Sequence, residues 1–464
     1  MGDIYDAAIV GAGIAGLSAA WRLRHRNILV LEAAARPGGR LRSEPRGEYW
    51  LNFGAHLFGD ADSPAGNLAN ELALETRPIP GDRMGIAFRG KVIAGGRSEM
   101  FPFRLPLDLR SRISFIKMGL KLRTGVMRLL EIQKVAPSEK PAERRVRQLS
   151  FDNERTLAGY VGSLTPNVEL ILRTITERTA ADPTEMASGY GLTSFGQVWS
   201  KHSFGRNLVG GSARLPQAIA AALGSRVQMK AEVTRVGQGP DHVLVSYRQD
   251  GMQRQVLARH AIVATQADVA RRIITDLPAD TMRALGEIRY GEFLSAAVLT
   301  GETGPMPWDN NYAIATPGLS FGVFFNQAST LRVGPRRAGG SLMLFRGARG
   351  AAELMKRSDE EIARLFQTDL ERLFPDARGI VREISIQRWP QGAPYSFPGR
   401  AAFQPALSRD FGRLHLAGDY LEFPCMDAAI STASEAAEKI NNALGQELPR
   451  PSNTGLAIPN PQSR

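Results

Sequence analysis

The sequence AAIVGAGIAG, residues 7–16, decides the predicted fold. Its first four residues are an apolar run that ends abruptly at Gly11, which is typical of a buried parallel strand. Gly11 allows a tight turn, Gly13 a close approach of backbone to a phosphate, and Gly16 close packing of the following helix on the strand. The segment therefore predicts a strand–turn–helix unit that binds a pyrophosphate at the helix N-terminus.

A second strand and an acidic residue complete a predicted βαβ unit. The apolar run Ile28-Leu-Val-Leu31 is followed directly by Glu32, sixteen residues beyond Gly16. A carboxylate at this strand end accepts hydrogen bonds from both ribose hydroxyls of a dinucleotide and disfavours the 2′-phosphate of NADP. The candidate cofactor-binding residues of this unit are Gly11, Gly13, Ile14, Ala15, Gly16, Glu32 and Ala33.

Two later segments extend the predicted cofactor site. The run Gly38-Gly39-Arg40 lets backbone pass close to a ligand, and its arginine can pair with a phosphate in a bidentate way. Near the end of the chain, an apolar strand closes in Gly418-Asp419 and precedes a helix of small residues that begins at Met426. Small side chains allow such a helix to approach a cofactor closely, with its positive dipole end forward.

Together these segments resemble the flavin-containing amine oxidase superfamily, which includes monoamine oxidases, protoporphyrinogen oxidases and carotenoid desaturases. The resemblance runs from Tyr5 to about Leu444. It implies non-covalently bound FAD, with the adenine held by backbone at the end of a predicted strand Val227–Val233. The further candidate FAD-binding residues that it implies are Gly39, Arg40, Gly54, Ala55, His56, Val233, Gly418, Asp419, Met426 and Asp427.

The resemblance also implies an α/β fold that is discontinuous in sequence. We expect a Rossmann-like FAD-binding domain and an α+β substrate-binding domain, with residues 446–464 as a polar, Pro-rich flexible tail. The FAD-binding domain is expected to use residues 1–95, 205–265 and 385–445, and the substrate-binding domain residues 96–204 and 266–384.

Three positions depart from the monoamine oxidase pattern. The lysine of that pattern falls at Ser295, and the second of its two orienting aromatic residues falls at Cys425. No cysteine lies near Tyr395, which excludes the covalent thioether flavin of some relatives. These departures favour an FAD-dependent oxidoreductase that removes hydride from a bulky, largely apolar substrate, as in protoporphyrinogen oxidases and desaturases.

The same resemblance leaves other functions open. They are an amine or amino-acid oxidase, a non-redox flavin mutase, and an FAD-independent binding protein of the Rab escort type. The predicted site-lining residues are His56 as a donor or acid–base group, Tyr395 as a flavin-facing aromatic residue, and Cys425 as a packed residue. Arg388 is a further candidate, for holding a substrate carboxylate.

The net charge and its distribution along the chain indicate which binding partners to expect. The chain has 58 basic and 46 acidic residues, a net charge of +12, and residues 104–147 contain twelve basic and four acidic residues. Interleaved apolar residues predict basic amphipathic helices there, either as a solvated lobe or as a contact with a membrane surface. We expect no nucleic acid and no metal. With one cysteine and no apolar stretch long enough to span a bilayer, the expected location is cytoplasmic, with the membrane surface as an alternative.

Overall fold

The computed structural model describes residues 4–79, 84–136, 138–199, 205–331 and 335–445. The tail expected at 446–464 lies outside these described residues. The strands are β1 Tyr5–Val10, β2 Ile28–Leu31, β3 Ser43–Arg46, β4 Tyr49–Asn52, β5 Thr76–Pro78, β6 Met84–Phe88, β7 Lys91–Ala94, β8 Arg206–Leu208, β9 Val227–Gln228, β10 Glu232–Gln238, β11 Val243–Gln249, β12 Met252–Val263, β13 Arg289–Thr300, β14 Ala313–Ala315, β15 Val323–Asn326, β16 Gly340–Gly347, β17 Val381–Tyr395 and β18 Leu414–Leu416.

Helices connect and cover these strands. They are α1 Ile14–Arg22, α2 Pro64–Glu71, α3 Phe101–Arg104, α4 Leu109–Gln133, α5 Pro141–Ser150, α6 Leu157–Val161, α7 Pro166–Thr176, α8 Ser188–Leu192, α9 Arg214–Leu223, α10 Ala267–Ile273, α11 Ala279–Gly286, α12 Ala348–Leu354, α13 Asp359–Leu373, α14 Gln404–Leu407 and α15 Met426–Ala443. Within the described residues, no helix is long and apolar enough to cross a membrane.

The first sheet forms around the strand that the N-terminal sequence predicts. Its order is β10-β11-β12-β1-β2-β9, and β18 pairs with β12. Strand β1 runs parallel to β2 and β12, and β12 runs parallel to β18. Helices α1, α9 and α15 cover one face, and α10, α11 and α14 cover the other. Because both faces are covered, Ala7–Val10 are all buried. The carboxyl ends of five parallel strands, β18, β12, β1, β2 and β9, meet at one edge, where ligands bind in such sheets.

One predicted strand is wrong. Instead of a single strand Val227–Val233, the short β9 pairs with β2, and β10 begins at Glu232 and pairs with β11. Between them Lys230 has a left-handed φ of 53°, and its N–H donates to the carbonyl oxygen of Ala34. The chain therefore leaves β2 and turns to pair with β11, within a stretch whose residue pattern suits a strand beside either one.

The second sheet has the order β17-β13-β16-β15-β14-β6-β7. All its pairs are antiparallel except β14 with β6. One face packs against α12 and α13, and the other faces the chain that follows β4. Strands β6 and β7 lie within residues 1–95, and β17 begins at Val381, so the sheets do not follow the expected domain boundaries. The division into two domains stays a prediction.

Helices α4 to α8, residues 109–192, form a separate lobe. Its core joins Met118, Leu122 and Val126 of α4 to apolar residues of α6, α7 and α8. Helix α4 has 25 residues, and the Asp108 carboxylate caps it by accepting a 2.9 Å hydrogen bond from the Ser111 N–H. The basic amphipathic helices that the sequence predicts are α4 and α5.

Candidate active site

The glycine turn between β1 and α1 combines close packing with an open side. Gly11 has a left-handed φ of 99°. A Cβ atom at Gly16 would lie 1.9 Å from the Gly11 carbonyl oxygen, so only glycine allows this approach of helix to turn. A Cβ atom at Gly13, in contrast, would meet no protein atom within 4 Å. The N-terminus of α1, formed by Ile14 and Ala15, therefore borders free space.

Glu32 attaches the end of β2 to this turn. Its Oε2 accepts a hydrogen bond of 2.6 Å from the Ala12 N–H, and its Oε1 accepts one of 2.8 Å from the Ala34 N–H. The Ala12 carbonyl oxygen accepts a 2.8 Å hydrogen bond from the Gly38 N–H. Gly39 follows, and a Cβ atom there would lie 3.5 Å from Gly13 Cα. We call residues 11–16, 32–34 and 38–40 the glycine cradle.

Arg40 and Asp419 join the two ends of the chain. Arg40 Nη2 donates to Oδ1 of Asp419 at 2.7 Å and Nη1 donates to Oδ2 at 2.9 Å, a bidentate pair. Burial opposes the charge of Arg40, but buried Asp419 outweighs this effect and the pKa of the guanidinium is raised. The sequence predicts both residues as cofactor contacts, but it does not predict their contact with each other.

The segment after β4 runs along Arg40. The Ala55 N–H donates to the Arg40 carbonyl oxygen at 3.1 Å, and a Cβ atom at Gly54 would lie 2.0 Å from the same oxygen. From the second sheet, Ser295 Oγ donates to the Phe53 carbonyl oxygen at 2.6 Å. The residue at the amine oxidase lysine position thus donates to the backbone of the segment that follows β4.

Helix α15 begins at the same sheet edge. Gly418 has a φ of 148°, and its N–H donates to Thr432 Oγ1 at 3.1 Å, which fixes the turn to the helix. Met426 is buried in the first turn of α15. The Asp427 carboxylate accepts a 2.8 Å hydrogen bond from the Ala65 N–H at the start of α2, and burial raises its pKa. Sequence analysis missed Thr432, because a threonine inside a helix gives no signal of its own.

The segment that leads to Val233 lies next to Glu32 in space. The Ala231 N–H donates to the Glu32 carbonyl oxygen at 2.8 Å, two residues before Val233. Val233 is buried and pairs with Tyr247 of β11, directly before a register shift. Its predicted backbone contact with adenine stays a prediction.

The residues of the cradle fit a dinucleotide. The free space at Gly13 leaves room for a pyrophosphate, and no side chain of the described residues caps the N-terminus of α1. Backbone N–H groups and the helix dipole at such an end bind phosphate oxygens, whereas the contact of the Glu32 carboxylate with ribose hydroxyls stays a prediction. FAD held here would supply the acceptor for a hydride taken from a substrate.

His56 faces the second sheet. Its ring lies 4.8 Å from the ring of Phe325 and 6.3 Å from that of Tyr312. Nδ1 lies 3.1 Å from the Gly54 carbonyl oxygen, which can only accept, so Nδ1 carries the proton. Nε2 is buried without a hydrogen-bond partner among the described residues, and desolvation lowers the pKa of the imidazole to about 4. His56 therefore presents a neutral ring with a free acceptor at Nε2.

Tyr395 has different surroundings. It borders a cavity of about 260 Å³ that Asp182, Glu185, Tyr290 and Glu292 also line. Tyr395 is half-buried, and desolvation raises its pKa. His56 does not line this cavity, so the cavity brings Tyr395 together with other residues and not with His56.

Cys425 lies at the N-terminus of α15. Its Sγ accepts a 3.4 Å hydrogen bond from the Ala428 N–H and caps the helix. The residue is exposed as a whole, but desolvation of the thiol raises its pKa to about 12. The thiol is therefore neutral at ordinary pH, and the packing role of Cys425 stays a prediction.

The expectation for Arg388 is wrong. Its Nε and Nη2 donate to Oδ1 of Asp359 at 2.8 and 2.7 Å, and its Nη1 donates to the Met355 carbonyl oxygen at 2.8 Å. The guanidinium therefore joins α12 to the start of α13 and has no free edge for a substrate carboxylate.

Comparison with known proteins identifies the family. A family model for flavin-containing amine oxidoreductases matches residues 14–441. The chain belongs to this family. Membership confirms the resemblance that the sequence indicates, the fold class, and FAD as the cofactor. Within the part of the chain that the structure describes, no group of three His, Cys, Asp or Glu residues is placed to hold a metal ion.

Individual relatives are distant. Amine oxidase [flavin-containing] B of Sus scrofa is 24% identical over 335 residues, which cover 65% of this chain and 62% of the relative. L-amino acid dehydrogenase of Synechocystis sp. is 27% identical over 297 residues, covering 60% and 59%. The matches thus span about three fifths of these curated relatives. The solved cyclohexylamine oxidase from Brevibacterium oxydans IH-35A shares the fold, with a TM-score of 0.76 at 20% identity over 95% of this chain and 100% of that chain.

Proposed function

We propose that the protein is an FAD-dependent oxidoreductase that removes hydride from a bulky, largely apolar organic substrate. The observation that carries this proposal is the surface opposite His56. Strands β13 to β16 present an apolar, aromatic-rich cluster there, which we call the aromatic face. Its residues are Phe293, Tyr312, Val323, Phe325, Met343 and Phe345.

The aromatic face is apolar and buried: Tyr312, Phe325 and Phe345 are exposed by 1%, 7% and 8%. Phe293 and Phe345 meet at 4.9 Å in an edge-to-face contact, and Tyr312 and Phe325 meet at 5.9 Å. Rings at such distances form a rigid wall that binds apolar molecules by burial.

The polar groups near this face are few and acceptor-like. His56 Nε2 and Asn207 Oδ1 are both buried without a partner among the described residues, and Asn207 Nδ2 donates to the Tyr312 hydroxyl at 3.1 Å. The neutral His56 ring can accept one hydrogen bond from a substrate or receive its proton at Nε2. Ser295, bonded to Phe53, offers no ammonium group at the position of the amine oxidase lysine.

An amine or amino-acid oxidase is the second candidate. The cavity beside Tyr395 favours it, because three carboxylates, those of Asp182, Glu185 and Glu292, line it together with one cation, that of Arg349. Carboxylates beside tyrosine rings attract an organic cation. Glu292 accepts no hydrogen bond from the described residues, whereas Asp182 is paired with Arg173. The relatives that act on amines by name support the same candidate.

Anaerobic flavin bleaching distinguishes the two candidates. The purified, FAD-loaded protein is mixed without oxygen with a porphyrinogen or a colourless polyene, and in parallel with cyclohexylamine or an L-amino acid. The proposal predicts faster loss of the flavin absorbance with the apolar compounds. Photoreduction of the same sample verifies that its flavin accepts electrons. Bleaching by amines or amino acids alone would replace the proposal with the second candidate, and no bleaching by either class would contradict both.

A further inference from the structure

Helix α4 exposes an apolar stripe that its packing does not require. Its inner face, with Met118, Leu122 and Val126, is buried in the core of the helical lobe. Its outer face carries four exposed apolar residues whose spacings of 4, 7 and 7 keep them on one side of a helix. We call this the apolar stripe: Leu109, Ile113, Leu120 and Met127, with exposures of 69%, 45%, 62% and 52%.

Exposed apolar residues of the described chain concentrate in this region. Eleven large hydrophobic residues are exposed among all the described residues, and seven of them fall between residues 100 and 135. Besides the stripe they are Met100 and Phe103, just before α4, and Val135, just after it. Single exposed apolar residues are ordinary, but a contiguous row marks a contact surface.

Positive charge flanks the stripe on both sides. Arg110 and Lys117, seven residues apart, lie about 80–100° around the helix from Leu109, and Arg123 lies on the opposite side of the stripe. Among the described residues, none of these three side chains forms a salt bridge with an acidic residue. The acidic residues of the outer face are few, and one of them, Glu131, is paired with Lys134.

We propose that α4 docks on the surface of an anionic lipid bilayer, with the apolar stripe entering the boundary between headgroups and acyl chains. An apolar row flanked by cations matches a bilayer, which is apolar within and carries phosphate at its surface. With 25 residues, α4 presents this pattern over about 37 Å. The proposal concerns a surface rather than the reaction, and it holds or fails whichever substrate the protein oxidises.

Vesicle sedimentation tests the docking directly. The FAD-loaded protein is mixed with vesicles of phosphatidylcholine alone or of phosphatidylcholine with phosphatidylglycerol, without any substrate. We expect binding to the phosphatidylglycerol vesicles, weaker binding to the neutral ones, and release by added salt. Failure of the wild-type protein to sediment with the anionic vesicles would overturn the proposal, as would equal binding to both vesicle types.

Two variants separate charge from apolar contact. Arg110→Glu with Lys117→Glu should lower the partition coefficient on anionic vesicles about tenfold or more. Ile113→Gln, Leu120→Gln and Met127→Gln together should lower it to a similar extent. These side chains are exposed, so folding is expected to persist, and flavin absorbance and circular dichroism verify this. Unchanged vesicle binding in either variant would contradict the proposed surface.

Matched controls lie elsewhere on the protein. Arg364→Glu with Arg372→Glu changes the net charge equally on α13, and Leu170→Gln with Met252→Gln removes exposed apolar residues outside the stripe. Both controls should keep the partition coefficient within about twofold. A control that falls as far as the α4 variants would show nonspecific attraction. A wild-type dimer that the stripe variant dissociates, measured by light scattering, would instead assign the stripe to a second copy of this chain.

Discussion

The glycine cradle and the aromatic face are built by different means. The cradle works through backbone: the positive φ of Gly11, the contact of Gly16 with the turn, and the N–H groups that Glu32 accepts from. The aromatic face works through side chains of strands that are far apart in sequence, and His56 reaches it from a separate segment. Changes in the cradle should therefore affect the fold and FAD together, whereas changes near the aromatic face should leave FAD in place.

The largest effect is expected in the cradle at Gly16. In Gly16→Ala the new Cβ atom would lie 1.9 Å from the Gly11 carbonyl oxygen, so backbone must shift. We expect a loss of about 3 kcal/mol or more in the free energy of unfolding, together with loss of bound FAD. Denaturant unfolding followed by flavin fluorescence measures both.

Gly119→Ala is the matched control for this substitution. Gly119 lies in the middle of α4, and a Cβ atom there would meet nothing within 4 Å. The substitution should raise the free energy of unfolding by about 0.5–1 kcal/mol, because alanine favours the helix, and should leave FAD bound. Equal destabilisation by both substitutions would show that the cradle has no special demand for glycine.

An intermediate effect on the free energy of unfolding is expected from the protonation of two buried histidines, one beside the aromatic face and one in the first sheet. Burial lowers the pKa of His56 beside the aromatic face and of His415 in the first sheet to about 4. Between pH 6.5 and 4 the unfolded chain binds protons that the folded protein does not. Stability is therefore complete above pH 6.5 and falls as the pH drops, by up to about 1.4 kcal/mol per pH unit for each histidine.

His415→Gln removes one of these two histidines, together with the 3.3 Å contact of its Nε2 with Nδ1 of His260, a neighbour whose pKa burial also lowers. The variant should have a shallower decline of stability between pH 6 and 4.5, by up to about 1.4 kcal/mol per pH unit, while FAD stays bound. Urea unfolding at a series of pH values measures the slope. An unchanged slope would mean that His415 is protonated in the folded protein or does not titrate in this range.

The sequence predicted the cradle well because its signals are local. Glycines at positions 11, 13 and 16, an apolar strand before them and an acid after the next strand all lie within one short βαβ unit. The pairing of Arg40 with Asp419 was not predicted, since 379 residues separate the two and no local pattern encodes their contact. Lys230 shows a similar limit, because its left-handed turn splits a predicted strand without a glycine to mark it.

The aromatic face could not be predicted from the sequence, for a related reason. Phe293, Phe325 and Phe345 come from three different strands, and which face each one takes depends on the register of the sheet. His56 was predicted from its glycine-flanked position, but its neutral state follows from burial that only the fold creates. The sequence could not show that the guanidinium of Arg388 is paired with the Asp359 carboxylate of a neighbouring helix.

The account depends most on the free space at Gly13. FAD titration of the flavin-free protein, followed by fluorescence quenching, tests it in the wild type and in Gly13→Ala. A Cβ atom at this position would touch no protein atom but would enter the space assigned to the pyrophosphate. We predict one FAD per wild-type chain, and for the variant unchanged stability of the flavin-free protein with FAD affinity about tenfold or more weaker. Equal affinity in both proteins would contradict the cofactor site at the turn between β1 and α1.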